Sequence, residues 1–201
     1  KIALPEISRG ENSLRLHVNY HSQSSVENVM ILGDFFAEKQ KIEHGEKGVI
    51  AAKKAGLPWG RIDDLGYAFY GGNLTYVTKI NVKHGGWLAI KAPCYKGNLI
   101  EIAVDGQKKG KILYAPYKAD LGKISAGAHE LRLTLYGNRF NTFGQLHNTP
   151  AVPWDGTYAW RTDGKEWSYD LLTRPVGIMS APTYEIYAAE YSTEKGGKEE
   201  I

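Results

Sequence analysis

The 201-residue chain has a single cysteine, Cys94. It therefore has no internal disulfide, and its core must hold by burial rather than by cystine staples. No run approaches 18 consecutive apolar residues, which excludes an apolar helical membrane span. Charge of one sign is scarce too. Twenty-five Lys and Arg face 22 Asp and Glu, a net +3, far from the clustered basic surface that nucleic-acid binding requires. The sequence contains no GxSxG elbow, no GxxxxGK[ST] phosphate loop, no GxGxxG and no HExxH, so the usual signatures of hydrolase, nucleotide and zinc chemistry are missing. Sustained 3.6-residue periodicity is absent as well. The chain begins at Lys1 rather than at methionine. We expect it to be a piece of a longer protein, and sequence leaves its compartment open between cytoplasmic and secreted.

What is present is glycine and tyrosine. There are 23 glycines and 13 tyrosines, with five tryptophans and five phenylalanines. Aromatic residues favour strands and glycine supplies the turns between them. At roughly 150 residues per domain, the length fits one domain with additional segments.

Alternation of period two recurs along the chain. Leu14, Leu16, Val18 and Tyr20 alternate with polar residues, as do Leu74, Tyr76, Thr78, Ile80 and Val82. The same holds for Ile100, Ile102 and Val104, for Leu131, Leu133 and Leu135, and for Tyr184 and Ile186. Each pattern predicts a strand with one wet face. Residues 29–36 are nearly all apolar and read as a strand covered on both sides. Asp105-Gly106 suits a tight hairpin, and Gly71-Gly72, Gly85-Gly86, Gly97-Asn98 and Gly137-Asn138 mark further turns. Residues 48–56 (GVIAAKKAG) and 118–124 are the two places where a short helix or turn is expected. Many short strands cut by glycine turns predict an all-β sandwich or barrel. We divide the chain into an edge strand or junction over 1–28, a sandwich over 29–190 and a polar tail over 191–201.

Candidate chemistry is thin. His17 and His21 stand four apart, which on a strand is about 13 Å, too wide for one metal ion. Glycoside hydrolysis needs two carboxyl groups roughly 5–9.5 Å apart. Asp34, Asp63, Asp64, Asp120, Asp155 and Asp163 are the candidates, although Asp at a turn is equally at home. Cys94 reads as an inert thiol, the usual state of a free cysteine.

Binding chemistry is better represented. An aromatic face stacks on the C–H side of a sugar ring, while amides and charged groups hold its hydroxyls. Two segments offer that mixture. The first runs WGRIDD from Trp59 to Asp64 and continues through Tyr67 to Asn73. The second runs GNRFNTFGQLHN from Gly137 to Asn148 and leads into an aromatic loop containing Trp154, Tyr158, Trp160, Trp167 and Tyr169. The candidate ligand contacts are Trp59, Tyr70, Asn73, Arg139, Asn141, His147, Trp154 and Trp160. Each of these residue types also plugs core ends or satisfies backbone groups in ordinary sandwiches. Asn73-Leu74-Thr75 matches the N-glycosylation pattern, and Asn73 beside Gly72 equally suits a turn.

The run DLGYAFYGGNLTY from Asp64 to Tyr76, preceded by Trp59-Gly60, resembles the opening of a jelly-roll domain of large bacterial glycoside hydrolases, including α-L-rhamnosidase-like ones. Three later blocks agree in order: Val104-Asp105-Gly106, the YAPY of Tyr114 to Tyr117, and the Gly137 to Asn148 run. The resemblance covers about residues 29–190. It implies a galactose-binding-like jelly-roll β-sandwich that accompanies a catalytic domain in the same polypeptide, where it binds carbohydrate or braces its neighbour. It implies no catalytic residue here and no cofactor. Some such sandwiches carry a structural calcium, and no Asp/Asn ligand run supports one in this chain. Three expectations follow: carbohydrate recognition, a purely architectural domain, and, third, hydrolysis by a carboxylate pair.

Overall fold

The computed structural model describes residues 3–4, 7–24, 29–52, 56–149 and 163–188. The chain forms two compact units, Lys1–Asp34 and Phe35–Ile201.

The larger unit is an all-β sandwich, as the sequence patterns predict. One layer has four strands in the order β3 (Asn73–Val82), β9 (Gly127–Tyr136), β6 (Leu99–Val104) and β7 (Gln107–Ile112). The other has three, in the order β11 (Thr183–Tyr187), β4 (Gly86–Lys91) and β8 (Lys118–Ile124). All pairings within these layers are antiparallel. Along the sequence the chain passes β3 to one layer, β4 to the other, β6 and β7 back, then β8, β9 and β11 by turns, which is jelly-roll wiring. A hairpin of β1 (Phe36–Ile42) and β2 (Gly45–Ala51) and a small ladder of β5 (Tyr95–Lys96) with β10 (Gly177–Ile178) complete the unit.

Alternation decides which side chains meet between the layers. Tyr76, Ile80 and Val82 of β3, Leu131, Leu133 and Leu135 of β9, and Ile100, Ile102 and Val104 of β6 are buried. They form one core with Leu88 and Ile90 of β4 and Ala119 and Leu121 of β8. Fully burying such an aliphatic side chain stabilises the fold by about 1.5–3 kcal/mol. The free edge strand β7 carries Lys108, Lys109 and Lys111, charges that discourage edge-to-edge pairing. Asp105 and Gly106 take φ of 49° and 77°, the left-handed pair that a two-residue hairpin between β6 and β7 demands.

Several expectations are corrected. Residues 118–124 are strand β8, not a helix or turn. Their period-two signal stops at a bulge, where Leu88–Ala89 pairs with Gly122 and Asp120 and leaves Leu121 out of register. Residues 48–51 belong to strand β2 rather than to a helix, because ladder pairing with β1 uses their backbone groups; residues 53–55 lie outside the described residues. Residues 14–20 and 29–34 form no strand. Leu14, Leu16, Val18, Tyr20, Val29, Ile31 and Leu32 are all exposed. An alternating pattern makes a strand only when a neighbouring ladder takes its N–H and C=O groups, and neither segment has one among the described residues. Cys94 is exposed, contrary to the burial usual for a free thiol.

The connections divide sharply between the two ends of the sandwich. One end carries three tight turns: 83–85, 105–106 and 125–126. The opposite end gathers the long connections 52–72, 92–98, 113–117 and 137–182.

Candidate functional site

The long-loop end starts from a cross-strand row. Asn73 pairs with Tyr136, and Tyr136 with Leu99. The two loops singled out in the sequence leave the sheet side by side here, one before Asn73 and one after Tyr136. They touch closely. The Thr142 hydroxyl donates to the Phe69 carbonyl at 2.7 Å. A side chain on Gly71 would collide with Thr142 and come within 3.5 Å of the Arg139 Cα, and one on Gly137 would stand 2.8 Å from the Gly72 carbonyl oxygen. Glycine at 71 and 137 is therefore needed for the approach itself.

At this junction Tyr70, 38% exposed, is fixed on both sides. Its hydroxyl donates to the Asn73 carbonyl at 2.9 Å, and its ring meets Tyr67 edge-on at 5.3 Å. Asn73 and Arg139 are exposed at the same junction, and Phe143 is exposed on the second loop. Asn98 joins the same rim, its side-chain amide donating to the Gly137 carbonyl at 3.0 Å. The arrangement offers a held aromatic ring at a junction that also carries exposed Asn and Arg residues. A ring hydroxyl or a carboxylate of a ligand could be met there by planar donors.

Three other candidates lie inside the scaffold. Trp59 is half-buried and stacks on Tyr76 at 4.8 Å, covering the end of the core. Burial pushes the Tyr76 phenol up from its ordinary value. Asn141, on the short helix α1 (Phe140–Phe143), is 1% exposed. Its amide donates to the Arg174 carbonyl at 2.9 Å and accepts from the Arg174 N–H at 2.8 Å. His147 stacks on Trp167 at 4.4 Å, and its Nδ1 donates to the Ser168 carbonyl at 2.7 Å. Asn141 and His147 tie loop to loop, and Trp59 ties its loop to strand β3. Trp154 and Trp160 lie outside the described residues, as does Asp155.

The acids are arranged for bracing as well. The Asp63 side chain is fully buried and ion-paired with Arg61. It also accepts from the Thr173 hydroxyl at 3.2 Å and the Val176 N–H at 3.4 Å. Asp64 shares the same guanidinium at 3.1 Å. The hydrogen bond it donates to Asp63 holds the Arg61 guanidinium above its usual value. Both acids thus converge on one cation instead of facing each other across a cleft. Nearby, Glu46 of β2 accepts the Leu171 N–H at 3.0 Å while Lys41 bridges Glu46 and Asp170, so the β1–β2 hairpin clamps the returning segment. Asp34, Asp120 and Asp163 are exposed. Among the described residues no group of three or more His, Cys, Asp or Glu comes together to hold a metal ion.

Sequence reasoning missed Asn98 and Phe143 as members of the rim. The Gly97-Asn98 turn was a signal for the first, and only the fold places it next to Gly137.

No family model and no curated protein matches the chain. Solved structures do. The chain is similar to part of a rhamnosidase. That protein, from Novosphingobium sp. PP1Y, aligns with 83% of this chain and 16% of its own at 19% identity and a TM-score of 0.44. A GH2 β-galacturonidase from Eisenbergiella tayi bound to glycerol aligns with 76% of this chain and 22% of its own, at 19% identity and a TM-score of 0.39. The same enzyme bound to galacturonate gives 15% identity and a TM-score of 0.37, covering 76% of this chain and 23% of its own. The chain thus spans less than a quarter of each of these glycoside hydrolases.

Proposed function

We propose that the chain is a non-catalytic accessory β-sandwich of a larger sugar-processing protein, and that its long-loop end binds carbohydrate. The observation that carries this reading is the Tyr70 ring, pinned by Asn73 and Tyr67 at the junction of two loops, with Asn73 and Arg139 exposed there. A preorganised ring loses little entropy on stacking, and its polar neighbours supply the directional contacts that a sugar's hydroxyls need. Of the candidate residues, Tyr70, Asn73 and Arg139 make the contacts, while Trp59, Asn141 and His147 hold the loops that present them. The pairing of Asp63 and Asp64 with Arg61 supports a bracing role for these acids over an acid–base role.

The test is a glycan array followed by calorimetric titration. We expect binding to at least one plant or host saccharide, weakened about tenfold, or about 1.4 kcal/mol, by Tyr70→Ala. Silence across the whole panel removes the reading.

A second, architectural reading is favoured by one specific observation. The large apolar residues described in the unit Lys1–Asp34, Leu14, Leu16, Val18 and Tyr20 among them, are exposed. In that reading this unit packs on a neighbouring catalytic domain of the same polypeptide. Replacing Leu16 and Val18 by Ser would then weaken association with that domain and leave saccharide binding unchanged.

A further inference from the structure

Tyr114 is the most exposed large apolar side chain of the described residues, at 81%. It sits on the five-residue connection between β7 and β8, at the same long-loop end as Tyr70. Nothing about this loop is slack. The Tyr117 N–H donates to the Tyr114 carbonyl at 2.8 Å, and the Ala92 N–H to the Tyr117 carbonyl at 2.9 Å. The Tyr95 hydroxyl reaches the carbonyls of Leu113 at 3.1 Å and Ile112 at 3.3 Å. The Tyr95 and Tyr117 rings meet edge-on at 5.8 Å. The APCY segment of Ala92 to Tyr95 and the APY segment of Ala115 to Tyr117 are thus packed together in space.

Tyr117 carries a φ of +57°, a left-handed conformation that a bulky residue seldom adopts. The fold holds that strain and leaves the neighbouring ring in water. Core packing does not require it, since Tyr114 buries almost nothing. An exposed ring on a backbone held in this way is a presented group.

The register gives the distance between the strand ends from which the two tyrosines extend. Asn73, Tyr136 and Leu99 form one row, and Ile112 pairs with Ile100. Tyr70 therefore leaves the sheet at the β3 edge and Tyr114 at the β7 edge. In the order β3-β9-β6-β7 these edges are three strand spacings apart, about 14 Å. A single pyranose ring is shorter than that; a chain of several is not.

Resting on the carbohydrate reading above, we infer that the ligand is an oligosaccharide held in two places, with one ring stacked at Tyr70 and a more distant ring of the same chain stacked at Tyr114. The second contact is intramolecular once the first has formed, so it adds affinity only for chains long enough to reach it.

The experiment is calorimetric titration of the whole chain with mono-, tri- and hexasaccharides of each sugar in a panel of gluco-, manno-, galacto- and galacturono-oligosaccharides. Tyr114→Ala and Tyr114→Phe are compared with the parent. The ring is exposed, so thermal unfolding of both variants should match the parent and certify the fold. The expected result is affinity that rises with chain length. Tyr114→Ala should lower hexasaccharide affinity about tenfold and leave the monosaccharide unchanged, with Tyr114→Phe behaving as the parent. Monosaccharide binding that neither strengthens with length nor responds to Tyr114→Ala overturns the two-place inference and leaves the rim at Tyr70 standing. An equal loss for every chain length in Tyr114→Ala also overturns it, since both tyrosines would then serve one place. No binding by any saccharide removes the carbohydrate reading and this inference with it.

Discussion

Replacing Asp63 tests whether the loop end is braced from within. Its carboxylate is fully buried and receives the Arg61 guanidinium, the Thr173 hydroxyl and the Val176 N–H. Asp63→Ala removes all of them at once. A charge-assisted hydrogen bond contributes about 1.5–3 kcal/mol and a neutral one about 1 kcal/mol, so the gross loss is about 3–5 kcal/mol. Arg61 is 41% exposed and water re-solvates it when its partner goes. The Val176 bond is also long at 3.4 Å. Both facts reduce the net effect to about 2–4 kcal/mol. With a urea m-value of about 2 kcal/mol/M, the middle of the usual range, the unfolding midpoint should fall by roughly 1–2 M. Asp63→Asn keeps the shape and part of the acceptor set, and should lie between the parent and the alanine variant. Equilibrium unfolding followed by tryptophan fluorescence reads both. A loss under about 0.5 kcal/mol for Asp63→Ala, well below even the neutral-bond value, would refute the bracing role.

Two further perturbations separate scaffold from surface. Asn141→Ala should cost about 2 kcal/mol, from two lost hydrogen bonds to Arg174. Where it remains folded it should keep parental saccharide affinity; a selective loss of binding without loss of stability would make Asn141 a ligand contact. The His129–Asp105 pair at the opposite end supplies a pH dependence. His129 Nδ1 faces the Asp105 carboxylate at 2.7 Å and Nε2 faces the Ser125 carbonyl at 3.1 Å, so the ring is set to donate from both nitrogens. The hydrogen bond to Asp105 raises the His129 pKa, and that same bond lowers the Asp105 pKa. A raised imidazole pKa contributes stability fully below its unfolded value of about 6.5, and that contribution is lost as pH rises through the folded value. The lowered carboxylate contributes above its unfolded value of about 3.9 and loses its share as pH falls through the folded one. The parent's melting temperature relative to His129→Gln should therefore be highest between those limits and converge on it at alkaline pH. Parallel curves would show that the pair does not titrate as described.

What the sequence made legible was local. Alternation at Leu131, Leu133 and Leu135 needs only its own strand to be read, and Asp105-Gly106 carries its turn geometry in two residues. The β8 strand was hidden because its bulge at Leu121 breaks the period. Residues 14–20 show the converse: their alternation is strand-like, but pairing is a property of a neighbour that the described fold does not supply. The rim was partly legible. Tyr70, Asn73 and Arg139 stood out by type, yet Asn141 looks the same on paper and is buried, because helix α1 turns it toward Arg174. Tyr114 was visible only as the first residue of the YAPY block. Its exposure depends on hydrogen bonds from Ala92 and Tyr95, far away in sequence.

The most direct measurement is an NMR titration of the isotopically labelled chain with a saccharide that binds on the array. The account predicts shift changes confined to the long-loop end, at Tyr70, Asn73, Asn98 and Arg139, with the turns at 83–85, 105–106 and 125–126 unmoved. Changes centred on those tight turns, or on the outer face of either sheet, would contradict it.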